Sequence, residues 1–168
     1  AVLGAEMQTH PSLGGRVEAA TPTWHQLVST HRPAWLAEHR MDELVVFPAV
    51  GFIELLLAAG RVALEADALV LESFVVLSPL SVVPGSERLL STTLGPEDGR
   101  VLISSQRADD AADGWVLHAR ARVRTRDAAP PSPRDLSGLR TQVSLDRGED
   151  VFYEEARSYG ADLQHRFR

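Results

Sequence analysis

Residues Trp35 to Ala66 read W-L-A-E-H-R-M-D-E-L-V-V-F-P-A-V-G-F-I-E-L-L-L-A-A-G-R-V-A-L-E-A. The stretch opens as a polar loop with one histidine, His39. A short apolar run, Leu44 to Phe47, ends at Pro48, and the longest apolar segment of the chain follows. From Ala49 to Ala66 only Glu54, Arg61 and Glu65 are charged. They fall at i, i+7 and i+11, one narrow stripe of a 3.6-residue helix. The spacing predicts a helix over 49–66, buried nearly all round because its other faces are apolar. Asp67 is expected to end it. Such a helix is about 27 Å long, close to a bilayer core. Its three charges and two glycines argue against a membrane span.

Downstream the pattern changes to strands. Ala68 to Leu77 is β-branched and aromatic. Ser78-Pro79 and Pro84-Gly85 mark turns, and Ser78, Ser81 and Ser86 read as turn chemistry. Glu87 to Leu94 and Arg100 to Arg107 form a hairpin across Gly95-Pro96-Glu97-Asp98-Gly99. Trp115 to Thr125 alternates: Trp115, Leu117, Ala119, Ala121 and Val123 on an apolar face, Val116, His118, Arg120, Arg122 and Arg124 on a largely basic one. Upstream, short strands are expected at Arg16–Ala19 and Thr23–Thr30. One buried helix against a curved antiparallel sheet is an α+β architecture. Pro130, Pro131 and Pro133 mark a linker. Beyond it, Asp150 is expected to cap a short helix with Phe152, Ala156 and Tyr159 as its apolar stripe, stopped by Gly160.

The 168 residues suffice for one domain with a proper core, or one domain and part of another. There are no cysteines, so disulfides and thiolate metal sites are excluded. All 17 basic residues are arginine, and the net charge of -6 argues against a nucleic-acid partner. No signal-peptide pattern opens the chain, so a cytoplasmic location is the expectation.

Which side chains could carry chemistry? His39, beside a strongly apolar run, could be held neutral by desolvation and act as a general base. From spacing alone the favoured reading is a loop histidine that caps a turn or satisfies a carbonyl. Asp42 and Glu43 could orient it or lie in a solvated turn. His118 shares the arginine face of its strand and is expected to be exposed. His10, His25, His31 and His165 have no supporting context, and no histidine pair has metal-ligand spacing with a third ligand. Arg120, Arg122, Arg124 and Arg126 form a basic ribbon, read as a solvated face or a dock for an acidic partner. Nucleophile-elbow and phosphate-loop patterns are absent.

His39 to Pro48, H-R-M-D-E-L-V-V-F-P, resembles the H-x-x-x-G-x-x-x-x-P motif of modular polyketide synthase dehydratase domains. The flanking W-L-A-E-H-R and G-F-I-E-L-L-L-A-A-G resemble the same family, as do H-P-S-L-G at 10–14 and W-V-L-H-A at 115–119. Tyr153, Gly160 and Phe167 match in frame a Y-x-x-L-x-x-x-G-L-x-Y-G-P-x-F motif. The resemblance implies a hotdog fold, a long central helix wrapped by an antiparallel sheet, as half of a double hotdog. It divides the chain into an N-terminal hotdog (1–125), a proline-rich linker (126–140) and the start of a second hotdog (141–168).

The activity implied is removal of water from a β-hydroxyacyl thioester to give an α,β-enoyl thioester. The substrate would ride on the phosphopantetheine arm of acyl carrier protein, with no other cofactor and no metal. His39 would take the α-proton, Glu43, Phe47, Pro48 and Leu163 would contact substrate, and an aspartate of the second hotdog would supply the acid. Neighbouring synthase domains and a second copy in a homodimer are the implied partners, with no nucleic acid and no membrane. The chain departs from the family at Glu43, where the motif has a glycine free to take positive φ, and at Leu163-Gln164-His165, where it has Y-G-P. The competing readings are a non-catalytic structural or docking element, and a hotdog cyclase or isomerase acting on carrier-bound chains.

Overall fold

The computed structural model describes residues 10–109, 114–127, 129, 132–142 and 149–163. Gln164, His165 and Phe167 of the C-terminal motif lie outside them. Six strands form the main antiparallel sheet: β1 (Gly15–Val17), β2 (Thr23–Val28), β5 (Leu69–Val76), β7 (Arg88–Leu94), β8 (Arg100–Arg107) and β9 (Val116–Thr125). Their order is β1-β2-β7-β8-β9-β5. The expected hairpin is present, with Leu94 opposite Val101 and Gly99 at φ 66° in its turn. Among the described residues a second sheet runs β10-β3-β4-β6, from strands β3 (His39–Met41), β4 (Leu44–Val46), β6 (Ser81–Val82) and β10 (Ala161–Leu163).

Helix α1 (Ala49–Leu64) packs on β5, β7, β8 and β9. It stops two residues before the predicted end because Glu65, not Asp67, takes a left-handed conformation (φ 49°). Its buried residues are Phe52, Leu55, Leu56, Ala58, Ala59 and Gly60. Gly60 lets the helix approach the sheet: a Cβ there would sit 2.5 Å from Val123 Cγ1. All-round burial is not found, for a sheet covers only the side that faces it, and Val50 on the other is 66% exposed. The charged stripe is as expected, with Arg61 3.7 Å and His10 3.6 Å from the Glu54 carboxylate.

Two short helices follow the main sheet, α2 (Leu136–Gln142) and α3 (Glu149–Ser158). The Asp135 carboxylate caps α2 by accepting from the N–H groups of Ser137 and Gly138. Asp150 lies inside α3 rather than capping it, and Phe152 and Tyr159 are exposed. Gly160 stops α3 at φ 83°.

The clearest departure is in β9. Ile103 pairs with Ala119 and Ser104 with Leu117, so His118 is an extra residue, a β-bulge. The bulge resets the alternation. Ala119, Ala121 and Val123 point into the core as predicted, but His118 turns inward too and is 2% exposed. Trp115 is correspondingly 48% exposed and lies against the His25 ring. The expectation of an exposed His118 is therefore overturned by one inserted residue.

Candidate functional site

His39 is the first residue of β3 rather than part of a loop. β3 and β4 form a tight hairpin, with Met41 opposite Leu44 and Asp42-Glu43 as the turn. The left-handed residue of that turn is Asp42 (φ 53°), not Glu43. Aspartate tolerates that region better than most residues, so the glutamate at the motif's glycine position requires no positive φ. The Arg40 guanidinium donates to the Glu43 carbonyl at 2.9 Å and ties the turn together. The Glu43 residue itself is exposed.

The hairpin is held from both sides. β10 pairs with β3, placing Leu163 opposite His39 by its backbone, and the Asp42 N–H donates to the Gly160 carbonyl. Gly160 is needed there twice. Its φ is positive, and a Cβ would collide with Asp42 Oδ1. On the other edge β6 pairs with β4, Val46 opposite Ser81, and the Phe47 N–H donates to the Leu80 carbonyl at 2.8 Å.

The half-buried His39 ring folds back onto β4. Its Nδ1 lies 2.7 Å from the Val46 carbonyl oxygen. A carbonyl only accepts, so Nδ1 carries the proton and the basic lone pair belongs to Nε2. Immediately beyond Val46, Phe47 and Pro48 are buried and lead into α1. Pro48 gives α1 no side-chain cap, and no acidic residue lies in its first turn. That end therefore keeps its partial positive charge.

Phe47 joins this hairpin to a cavity of about 560 Å³ between β2, the turn at Pro33–Trp35 and α1. Trp35, Phe47, Gly51 and Leu55 give it an apolar wall; His25, Arg32 and Glu54 give it polar groups. Gly51 makes room for the Phe47 ring, since a Cβ would lie 2.6 Å from Phe47 Cε1. Among the predicted site residues whose side chains are described, Phe47 lines the cavity and His39, Glu43 and Pro48 do not. Sequence reasoning passed over Trp35, Gly51 and His25 as lining residues. The available signal was at Phe47 and Phe52, the positions before and inside the start of α1 whose apolar side chains pack together, 5.0 Å apart here.

His118 occupies the other notable environment. Its Nδ1 is 3.1 Å from the Ser78 carbonyl, so that nitrogen donates. Its Nε2 is 2.7 Å from Ser105 Oγ, which accepts from the Arg88 guanidinium at 3.0 and 3.2 Å. Arginine can only donate, so the serine proton goes to Nε2 and His118 is neutral. Burial is the main cause that lowers its pKa; the Ser78 carbonyl opposes this and the Arg88 charge reinforces it. Burial likewise lowers His25. The basic ribbon is partly neutralised: Arg124 pairs with Glu72, while Arg126 is half-buried. Among the described residues no three histidine, aspartate or glutamate side chains gather as a metal site, and no helix is long and apolar enough to cross a membrane.

Comparison with known proteins gives this arrangement a family. Residues 10–107 match the model of the polyketide synthase dehydratase domain. Over 173 residues the chain is 33% identical to a type I phenolphthiocerol synthesis polyketide synthase of Mycobacterium bovis, covering 96% of this chain and 8% of that synthase. It is also 33% identical over 173 residues to a phenolphthiocerol synthesis polyketide synthase of Mycobacterium tuberculosis whose name calls it inactive, covering 96% of this chain and 10% of the relative. The chain thus spans a tenth or less of these synthases. Among solved structures, the dehydratase domain from the CurK module of curacin polyketide synthase superposes with a TM-score of 0.80 at 20% identity, over 92% of this chain and 57% of that one. GphF dehydratase 1 gives 0.67 at 30% identity, over 90% and 54%. The α+β fold is accordingly half of a double hotdog, and the chain belongs to the polyketide synthase dehydratase domain family.

Proposed function

We propose that this chain supplies the basic half of a β-hydroxyacyl-thioester dehydratase acting on chains carried by acyl carrier protein. The observation that carries the reading is the His39 ring, whose Nδ1–H is committed to the Val46 carbonyl so that Nε2 is the basic nitrogen. Nε2 would remove the proton α to the thioester carbonyl. Negative charge then develops on the thioester oxygen, and the uncapped N-terminus of α1 beside Phe47 and Pro48 favours it. The hydroxyl leaves as water when protonated by an acid, which the family resemblance assigns to a second hotdog. Phe47, Gly51 and Leu55 offer an apolar wall for the acyl chain, and the Leu163 strand flanks the base. The substrate arrives on a phosphopantetheine arm, and no other cofactor takes part. Neighbouring synthase domains, a second copy of the domain and a cytoplasmic setting belong to the same proposal.

A second reading is double-bond isomerisation of a carrier-bound enoyl chain by the same histidine. The chain is 32% identical to an isomerase-inactive variant of GphF dehydratase 1, with a TM-score of 0.71. One experiment separates these readings. The longest protein that carries this chain is incubated with β-hydroxyacyl and with enoyl N-acetylcysteamine thioesters, and products are followed by mass and double-bond position. Loss of water that disappears in His39→Ala supports dehydration; a shifted double bond without loss of water supports isomerisation. No turnover of either thioester, with His39→Ala identical to the parent, leaves a non-catalytic element.

A further inference from the structure

We infer that His118 is a positioning residue for His39, acting as a clamp between the two sheets. The inference rests on the reading of His39 as the base. Strands of three, three, two and three residues build the sheet that holds His39. So small a sheet is marginal by itself and needs anchoring on a larger body. Val45 and Val82 bury it against the common core, and His118 adds a polar anchor from β9 of the main sheet.

The connection can be followed bond by bond. The His118 carbonyl accepts from the N–H groups of Leu77 and Ser78, and its ring Nδ1–H donates back to the Ser78 carbonyl. Ser78 is therefore gripped by backbone and side chain of one residue. Two residues on, the Leu80 carbonyl accepts from the Phe47 N–H, and β6 pairs with β4. β4 carries the Val46 carbonyl that fixes the His39 ring. A parallel link runs through rings. His118 stacks on Phe52 at 6.3 Å and 9°, and Phe52 packs on Phe47 at 5.0 Å. The Arg88–Ser105 pair sets the tautomer by sending the serine proton to Nε2, which leaves Nδ1 as the donor to Ser78. The bulge that turns His118 inward is thus what makes the grip.

The test compares ring chemistry with turnover. Histidine is labelled with 15N in the full chain, and the His39 ring signals are read at a pH above the usual histidine range. His118→Phe keeps a ring against Phe52 but removes the donor to Ser78. It should move the His39 signals from the Nδ1–H tautomer toward a mixture. In the turnover assay above, kcat should fall on the order of 10²-fold with KM unchanged, as for a displaced catalytic group. His118→Asn, which retains an N–H near the Nδ1 position, should restore both. A His118→Phe protein whose His39 signals match the parent overturns the proposal. Should that variant not fold, His118→Asn and His118→Gln decide, because glutamine reaches toward Ser105 instead. Parental His39 signals in the first and altered ones in the second support the clamp; the same signals in both overturn it. An inactive parent would sink the dehydratase reading alone, since the ring signals report the clamp without turnover.

Discussion

The two sheets differ in what stabilises them. The main sheet has strands of seven, eight and ten residues at its centre and a helix buried against it, with Phe52, Leu55, Leu56, Ile103 and Val123 in one core. The sheet of His39 has strands of two or three residues, and Met41 and Leu44 at its turn are exposed. Its inward side chains Val45 and Val82 join the same core, and hydrogen bonds tie the rest of it to its neighbours: Phe47 to Leu80, Asp42 to Gly160, Arg40 across the turn. Most of the core belongs to the main sheet and α1, and the candidate chemistry lies on the sheet that adds only Val45 and Val82 to it. This division lets a reactive side chain be placed by local geometry without weakening the core.

The sharpest way to break the contrast is Phe52→Ala. Phe52 is 1% exposed and touches both Phe47 and His118, so its removal leaves a cavity where helix and both sheets meet. Global stability should fall by about 3–5 kcal/mol, read from the urea midpoint. A loss under about 1 kcal/mol would mean that the aromatic contacts do not join the two regions.

Acid should come next. His118 is buried neutral and its pKa is lowered, so the unfolded chain takes up a proton more readily than the folded one. The sign follows: stability is unaffected above the ordinary histidine value of 6.5 and declines as pH falls below it. His25 is shifted the same way by burial and adds to the slope. Urea titrations at a series of pH values measure it, and His118→Asn should flatten the curve. An equal slope in parent and variant would assign the acid sensitivity elsewhere.

The smaller sheet responds more weakly. His39→Ala removes the bond to Val46, which contributes about 1 kcal/mol at a half-buried position. On the proposed reading its effect on dehydration should be far larger, roughly 10²–10⁴-fold for loss of a general base. Thermal melting and product formation on the same preparation check both. A variant that loses as much stability as Phe52→Ala would place His39 in the core rather than at a site.

Much of the larger region was legible in advance because its signals are local. The 3.6-residue spacing gave α1, and Gly95 to Gly99 gave the β7–β8 hairpin. The smaller sheet was not. Strands such as Ser81–Val82 span a single period of alternation and show no repeat, and their pairing with Val45 and Val46 is set by tertiary structure. His118 was misplaced for a related reason. A bulge is a property of two strands in register, and nothing in Trp115 to Thr125 alone marks the extra residue. The candidate base was legible only through the spacing of His39 and Pro48 in a family motif, since the residues alone favoured a loop histidine.

The mildest test concerns Glu43, the position where the family motif carries glycine. If that glycine mattered for its backbone conformation, glutamate should strain the turn. The structure moves the left-handed residue to Asp42 and leaves Glu43 exposed with its carbonyl held by Arg40. Glu43→Gly should therefore change stability by no more than about 0.5 kcal/mol, as for most exposed positions. Its effect on rate asks a different question, because the substitution removes one negative charge from the turn beside the proposed base. Since a carboxylate in solvent is screened beyond about 10 Å at moderate salt, a rate gain that vanishes on raising ionic strength would identify the charge as the cause. A gain that persists at high salt would point instead to the backbone, and would place the functional difference in the two-residue turn between β3 and β4.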